Sequence, residues 1–329
     1  MKHFNYLFLL LLTGCSTEVT TTEESTKLNN TEITILTSQV IDVNFGGMEL
    51  PVQEFNDAYI YQGDILIPKN FETASILEEG EQRRAVSRTS YFWDNNEFYY
   101  QIDPKLSNPS RVQEAMKMWA RATNISFIER ADPSGYVYFT DDGGCYSYVG
   151  KLVTKQTLSV GTGCSVGNIV HEIGHALGLW HEHSRIDRDN SIIVQYDNVI
   201  NGAIHNFYHY REMGVDGQEL DSKLDFESIM LYGSYSFSRG WDFPTITKLD
   251  GSIYNANRTY LSEGDINGIN KLYPAAGEPT YENGNLFQLH GLTVLRMYDR
   301  WYYYYGNNLG WVEVKYKNGA WFWKRGKIK

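Results

Sequence analysis

The 329-residue chain lacks a surplus of positive charge, a long hydrophobic run and more than three cysteines. Its 29 Lys and Arg face 40 Asp and Glu, and a formal charge of −11 excludes the basic footprint of an electrostatic nucleic-acid binder. The main apolar run, Phe4 to Leu12, falls well short of the roughly 20 residues a spanning helix needs, so no membrane-crossing segment is expected. What is present is ordinary globular composition, 42% hydrophobic and 21% charged, enough for one sizeable core with smaller appendages.

Lys2 and His3 precede the apolar run, and Leu12, Thr13, Gly14 and Cys15 end it. A charged start, apolar middle and small-residue exit read as an export signal. The exit resembles a bacterial lipobox, in which Cys15 is lipidated and becomes the first residue after cleavage; an ordinary signal with an incidental cysteine is the alternative. The protein is thus expected outside the cytoplasm, as a cell-envelope lipoprotein or secreted, touching a membrane only through a lipid anchor. If Cys15 carries a lipid, Cys145 and Cys164 remain, and in an oxidising compartment they are expected to form one bridge.

Residues 16–31, STEVTTTEESTKLNNT, are too polar to build a core and read as a tether. From Ile33 to about Arg84 apolar residues are scattered without a sustained helical or strand period, so this stretch is expected to fold only against another surface. Val112, Ala115, Met116 and Trp119 then form a stripe at helical spacing behind Pro109. Residues 124–129, 136–140 and 157–160 read as strands of one sheet. Ser262 with Asp265 three residues on opens a helix that carries Ile266, Ile269 and Leu272 and stops at Pro274. Beyond it, Trp301, four tyrosines from Tyr302, Trp311, Trp321 and Trp323, with an Asn318-Gly319 turn, predict a small β module. Over 275–329 eight basic residues face four acidic ones, making this the one cationic stretch. Its aromatics suit a hydrophobic core, with a glycan or protein ligand as the rival use.

Chemistry concentrates at residues 171–183, HEIGHALGLWHEH. His171 and His175 lie one helical turn apart and project from one face, as two imidazoles on a tetrahedral ion must. Gly178 can take the left-handed conformation that ends a helix and turns the chain, bringing His181 in as third ligand. Three neutral imidazoles leave one position on a zinc ion open, the mark of a catalytic site. Glu172, about 100° around the helix from His171, is placed as general base. The expected reaction is hydrolysis of peptide bonds with one Zn2+ per chain.

The run from His171 to His181 resembles the metzincin signature, its extension HEHSRIDRD at 181–189 resembles that of the astacin family, and SIMLYGSYSFS at 228–238 is similar to the astacin Met-turn. The resemblance, to a bacterial member of that family, covers about 85–274. It implies an α+β metzincin fold, a twisted sheet with the active-site helix above and a mostly irregular half below. It further implies Met230 as an apolar floor and Tyr232 as a weak fifth ligand that swings aside to stabilise the oxyanion. GCYSYVG at 144–150 would be the cleft-edge strand that pairs with extended protein or peptide substrates, and Cys145 with Cys164 matches the family's first disulfide. The second disulfide is missing, Asn124 standing where a cysteine is expected. Tyr61-Gln62-Gly63-Asp64 resembles the segment of astacin propeptides whose aspartate occupies the water's place on zinc, so Asp64 is the expected zymogen switch, with a Cys15 thiolate as rival. Cleavage after Arg83-Arg84 would free Ala85, whose ammonium would meet Glu182. The organisation expected is therefore a signal at 1–15, linker and propeptide at 16–84, catalytic domain at 85–274 and β module at 275–329. Rival readings are a catalytically idle surface-binding lipoprotein and a zinc hydrolase of cell-wall amides.

Overall fold

The structure, a computed structural model, describes residues 39–45, 48–56, 58–69, 87–88, 91–213, 215, 217–275, 284–289, 291–297, 300–305, 309–317, 320–324 and 326–328. Cys15, Arg83, Arg84, Ala85 and the Asn318-Gly319 turn lie outside them. No helix among the described residues is long and apolar enough to cross a membrane.

Nine strands form the main sheet: β1 Val40–Phe45, β2 Met48–Phe55, β3 Ala58–Tyr61, β4 Ile65–Pro68, β5 Glu97–Ile102, β6 Ser126–Glu129, β7 Tyr136–Thr140, β8 Cys145–Tyr148 and β9 Lys155–Val160. Their order is β1-β2-β3-β4-β8-β9-β7-β5-β6. The neighbours from β9 to β6 pair in parallel, β8 runs antiparallel to β9, and β4 adds on in parallel through Ile65↔Ser147 and Leu66↔Tyr148. The three strands expected at 124–129, 136–140 and 157–160 are all in this sheet. The expectation of an aperiodic segment before Arg84 is corrected, because residues 40–68 form a regular antiparallel meander, β1 to β4. Its period is hidden in β3 and β4, where both faces are apolar, whereas β1 and β2 expose Asp42, Asn44, Glu49 and Glu54 and turn Ile41, Val43, Leu50 and Val52 inward. Leu50, Val52, Tyr61, Ile65 and Ile67 cluster with Val149, Trp180, Tyr210 and Met213, while Ala58, Ile60 and Leu66 cluster with Tyr146. A strand buried on both sides loses the alternation that betrays a half-buried one. The expectation that this segment needs a second surface agrees with that packing.

Helix α1, Ser110–Ala122, buries the stripe Val112, Ala115, Met116 and Trp119 against helix α2, Val166–Ala176. Trp119 is fully buried and its indole donates to the Val170 carbonyl at 3.0 Å, which locks α2 onto α1. Helix α3, Glu263–Leu272, starts with the expected capping box between Ser262 and Asp265. The Cys145–Cys164 disulfide joins the β8 edge to the entrance of α2. Where a second bridge is missing, Asn124 ties into the end of α3: its backbone N–H donates to Asn270 Oδ1 at 2.9 Å and its side chain to Tyr273 O at 3.0 Å. After His181 the chain runs through short 3-10 turns, with one small pair of strands, β10 Ile192–Val194 and β11 Ile246–Lys248.

The C-terminal module is a six-stranded meander: β12 Leu286–Leu289, β13 Leu292–Met297, β14 Arg300–Tyr304, β15 Trp311–Lys317, β16 Ala320–Trp323 and β17 Gly326–Lys327. Trp321 is buried with Val294, Val314 and Ile328, and Trp301, Tyr303 and Trp323 pack against them, so these aromatics are core. Tyr304, Tyr305, Trp311 and Tyr316 are exposed.

Because α2 is held through Trp119, Trp119→Ala removes both the packing and the indole bond. Urea unfolding should show a loss of about 3–5 kcal/mol.

Candidate metal centre

His171 and His175 leave the same face of α2, and the helix is unusually confined around them. Gly174 is required there, since a Cβ would lie 2.6 Å from Met230 Sδ. The helix ends where expected: Gly178 has φ +103° and its N–H bonds to the His175 carbonyl. The reversed chain then delivers His181. Met230 is buried beneath the helix and accepts from the Glu182 N–H through its carbonyl at 3.0 Å.

Each imidazole is turned by a bond at its far nitrogen. His171 Nδ1 donates to Ile229 O at 2.7 Å, His175 Nδ1 to Leu179 O at 2.7 Å, and His181 Nδ1 to Gln62 Oε1 at 2.8 Å. The two carbonyls can only accept, so Nδ1 carries the hydrogen. The Gln62 amide is oriented because its Nε2 faces the Tyr208 carbonyl at 3.2 Å. Each Nε2 is thereby left with its lone pair free to bind a metal. Burial pulls the His171 pKa down to about 4, Arg258 adding to the effect, and pulls His175 well below its usual value, so both rings are neutral.

The three Nε2 atoms and a carboxylate oxygen of Asp64 all lie within 4.8 Å of one another. Asp64 Oδ2 is 3.3 Å from His171 Nε2 and 3.2 Å from His181 Nε2, and Oδ1 is 3.8 Å from His175 Nε2. The His171 and His181 nitrogens are 3.2 Å apart. Two donors each about 2.0–2.1 Å from one tetrahedral ion lie about 3.3 Å apart, so the spacing fits zinc. His175 Nε2 and Asp64 Oδ1 are buried with no hydrogen-bond partner among the described residues. A buried polar atom without a partner is costly, and a cation at the centre satisfies both. Burial pushes the Asp64 carboxyl up, but the facing imidazoles, His181 foremost, outweigh it and hold it well below the usual carboxylate range.

Asp64 reaches this point from a three-residue loop between β3 and β4. Gln62 at φ +51° and Gly63 at φ +81° make the loop tight, and a Cβ on Gly63 would also strike the Phe237 ring at 2.7 Å. The Asp64 carbonyl accepts from Ser147 N–H on β8 at 2.9 Å, so the loop is pinned to the sheet edge.

Around the centre, Glu172 is buried with Oε2 lacking a hydrogen-bond partner among the described residues. Burial, reinforced by Asp64, raises its pKa well above the usual value. With Asp64 at the centre, the Tyr232 hydroxyl donates to the Gln62 carbonyl. Its ring stacks on His183 at 4.0 Å and lies tilted against His181 at 4.5 Å. Glu182 accepts from Asp225 N–H at 2.9 Å and from Arg185 at 3.4 Å, beside a small cavity lined by Ser228 and Asp265, and burial raises its pKa to about 8. Its expected partner Ala85 and the lipidation residue Cys15 lie outside the described residues.

Sequence reasoning missed three supports. Gln62 bonds to His181 through its side chain and receives the Tyr232 hydroxyl on its carbonyl. Asp265, read as a cap, also grips Ser228 Oγ at 2.7 Å and Ile229 N–H at 2.9 Å, fixing the turn under the metal. Arg258 donates to Ile229 O at 2.7 Å, the carbonyl that orients His171. The capping box hinted at Asp265; nothing marked the other two.

Removing one donor tests the centre directly. His175→Ala should drop zinc bound per chain, read by mass spectrometry of the native protein, from one to well under one after dialysis against a mild chelator; unchanged zinc would place the metal elsewhere.

Comparison with known proteins agrees with this geometry. The family model described as Astacin, a family of peptidases, matches residues 85–274. Tolloid-like protein 1 of Homo sapiens is 40% identical over 216 residues, which cover 62% of this chain but 21% of that protein. Zinc metalloproteinase nas-4 of Caenorhabditis elegans is 38% identical over 226 residues, covering 66% of this chain and 69% of that protein. The chain thus spans about a fifth of one relative and about two thirds of the other. Among solved structures, high choriolytic enzyme 1, a hatching enzyme zinc-protease from the medaka fish Oryzias latipes, superposes with a TM-score of 0.52 at 31% identity over 56% of this chain and 95% of that one. With the family model matched across more than half of the chain, and around a three-histidine centre suited to zinc, this protein belongs to the astacin family.

Proposed function

We propose that the chain is a zinc endopeptidase held latent by Asp64, exported from a bacterial cell and active on protein or peptide substrates. The observation that carries this reading is the Asp64 carboxylate lying 3.2–3.8 Å from all three imidazole Nε2 atoms, on the spot a substrate and water would need. A zinc ion held by His171, His175 and His181 would supply Lewis acidity and an acidified water there. The protein's own groups do the rest. Glu172 accepts the water's proton as the oxygen attacks the peptide carbonyl carbon and passes it to the departing amine, so water adds across the cleaved bond. Its role as the base is supported by Oε2, for which no donor among the described residues competes. Tyr232, released from Gln62 once the blocking loop leaves, would donate to the oxygen that gains negative charge. The substrate would pair with the β8 edge that β4 occupies here.

Cleavage after Arg84 would free Ala85, and the buried Glu182, whose pKa burial raises to about 8, would gain from an ammonium partner. Arg185 at 3.4 Å is the weaker contact it holds here. Export as a lipoprotein is supported by the Leu12-Thr13-Gly14-Cys15 exit; Cys15→Ser should move the protein from the membrane fraction to the medium, and unchanged partitioning would remove the anchor.

Glu172→Gln keeps the shape of the side chain but not its basicity. Casein hydrolysis by the cut protein should fall by about 10²–10⁴-fold, with bound zinc unchanged. In the uncut chain Asp64→Ala should let the zinc bind acetohydroxamate, a chelator small enough not to need the β8 edge, whereas the unaltered chain excludes it; equal exclusion by both would contradict the blocking role.

A further inference from the structure

Residues 39–69 touch the rest of the chain in three separate ways. One face of their meander, with Leu50, Val52, Tyr61, Ile65 and Ile67, buries against Val149, Trp180, Tyr210 and Met213. The opposite face, with Ala58, Ile60 and Leu66, buries against Tyr146, and Phe55 packs edge-on to the Tyr146 ring at 5.3 Å. Between them, β4 pairs with β8 and the loop reaches the centre. Tyr61 is 1% exposed and its hydroxyl donates to His205 O at 3.0 Å, while Gln62 Nε2 donates to Ser184 Oγ at 3.0 Å. These contacts join residues N-terminal of Arg83 and Arg84 to partners at 146–213, C-terminal of them, so hydrolysis of the bond after Arg84 removes the covalent link between the two sides and none of the contacts.

We propose that residues 39–69 stay seated after the chain is cut and act as a non-covalent inhibitor of the site, occupying the β8 edge and the Trp180–Tyr210–Met213 surface until they dissociate or are degraded. The proposal rests on the latent-peptidase reading above and deepens it. Before the cut, the tether holds the fragment at a high effective concentration; afterwards its occupancy follows ordinary mass action. Burial on both faces of a meander, with strand pairing and a metal-facing carboxylate, makes a much larger contact than a strap retained by one ligand. Activation then has two steps: one covalent and independent of protein concentration, the other a dissociation that dilution favours.

The test uses the full chain, zinc-loaded, with residues 76–82 replaced by the recognition sequence of a specific endoprotease. After complete cutting, size exclusion with intact-mass detection reads retention, and casein hydrolysis reads the site. The fragment should co-elute with the remainder, activity should stay below about a tenth of the fragment-free value, and serial dilution should raise specific activity. A fragment that elutes alone while activity appears in step with cutting overturns the proposal, as does co-elution with full activity. The Asp64→Ala chain should still retain its fragment, because the strand and core contacts are untouched; loss of the fragment there would reduce the seat to one ligand and overturn the proposal equally. Fragment-free protein that fails to hydrolyse casein would contradict the peptidase reading, while co-elution alone still decides retention.

Discussion

Three imidazoles do not aim their lone pairs at one point by preference. The nitrogens of His171 and His181 approach to 3.2 Å with no hydrogen between them, an arrangement that costs energy until a cation arrives. Everything around the centre serves to force that convergence. Each ring is turned by a fixed acceptor at Nδ1, two of them backbone carbonyls that cannot rotate away. Those carbonyls are fixed in turn: Leu179 by the left-handed Gly178 turn, and Ile229 by Asp265 on one side and Arg258 on the other.

This hierarchy explains the packing of the upper half. Helix α2 has nine buried residues of eleven, so it behaves as a core element and has no solvent face of its own. Trp119 holds one side of it and Met230 the other, and the two glycines at 167 and 174 are needed because the Arg258 backbone and the Met230 sulfur come too close for a Cβ. A rigid helix is what keeps two ligands a turn apart at fixed aim. The third ligand is different, since His181 takes its orienting bond from Gln62, a residue of the loop between β3 and β4. The support of this ligand therefore comes from the same loop that carries Asp64.

Much of this is legible from residue order, and the reasons are particular. The stripe from Val112 to Trp119 and the spacing of His171, His175 and His181 are helical periodicities, which survive in any context. Ser262 with Asp265 is a local hydrogen-bond pattern, and Asp64 stands out by resemblance because its neighbours form a short motif. What cannot be read depends on contacts distant in sequence. In the meander from Val40 to Pro68 only β3 and β4 are buried on both faces and lack alternation; β1 and β2 alternate over runs too short and too broken by Pro51 and Gln53 to stand out. The strand Glu97–Ile102 is likewise unmarked, its Phe98, Tyr99 and Tyr100 running consecutively. Gln62 meets His181 across 119 residues, and Tyr232 finds the Gln62 carbonyl across 170. Neither pairing leaves a mark in local composition.

The account stands on a single cation shared by three imidazoles and one carboxylate in the uncut chain. X-ray absorption at the zinc edge of that form measures it most directly. Three imidazole nitrogens and one oxygen at about 2.0–2.2 Å are expected, with the oxygen shell altered in Asp64→Ala. A sulfur neighbour at about 2.3 Å, or only two imidazoles, would contradict the account and transfer the blocking role to another residue.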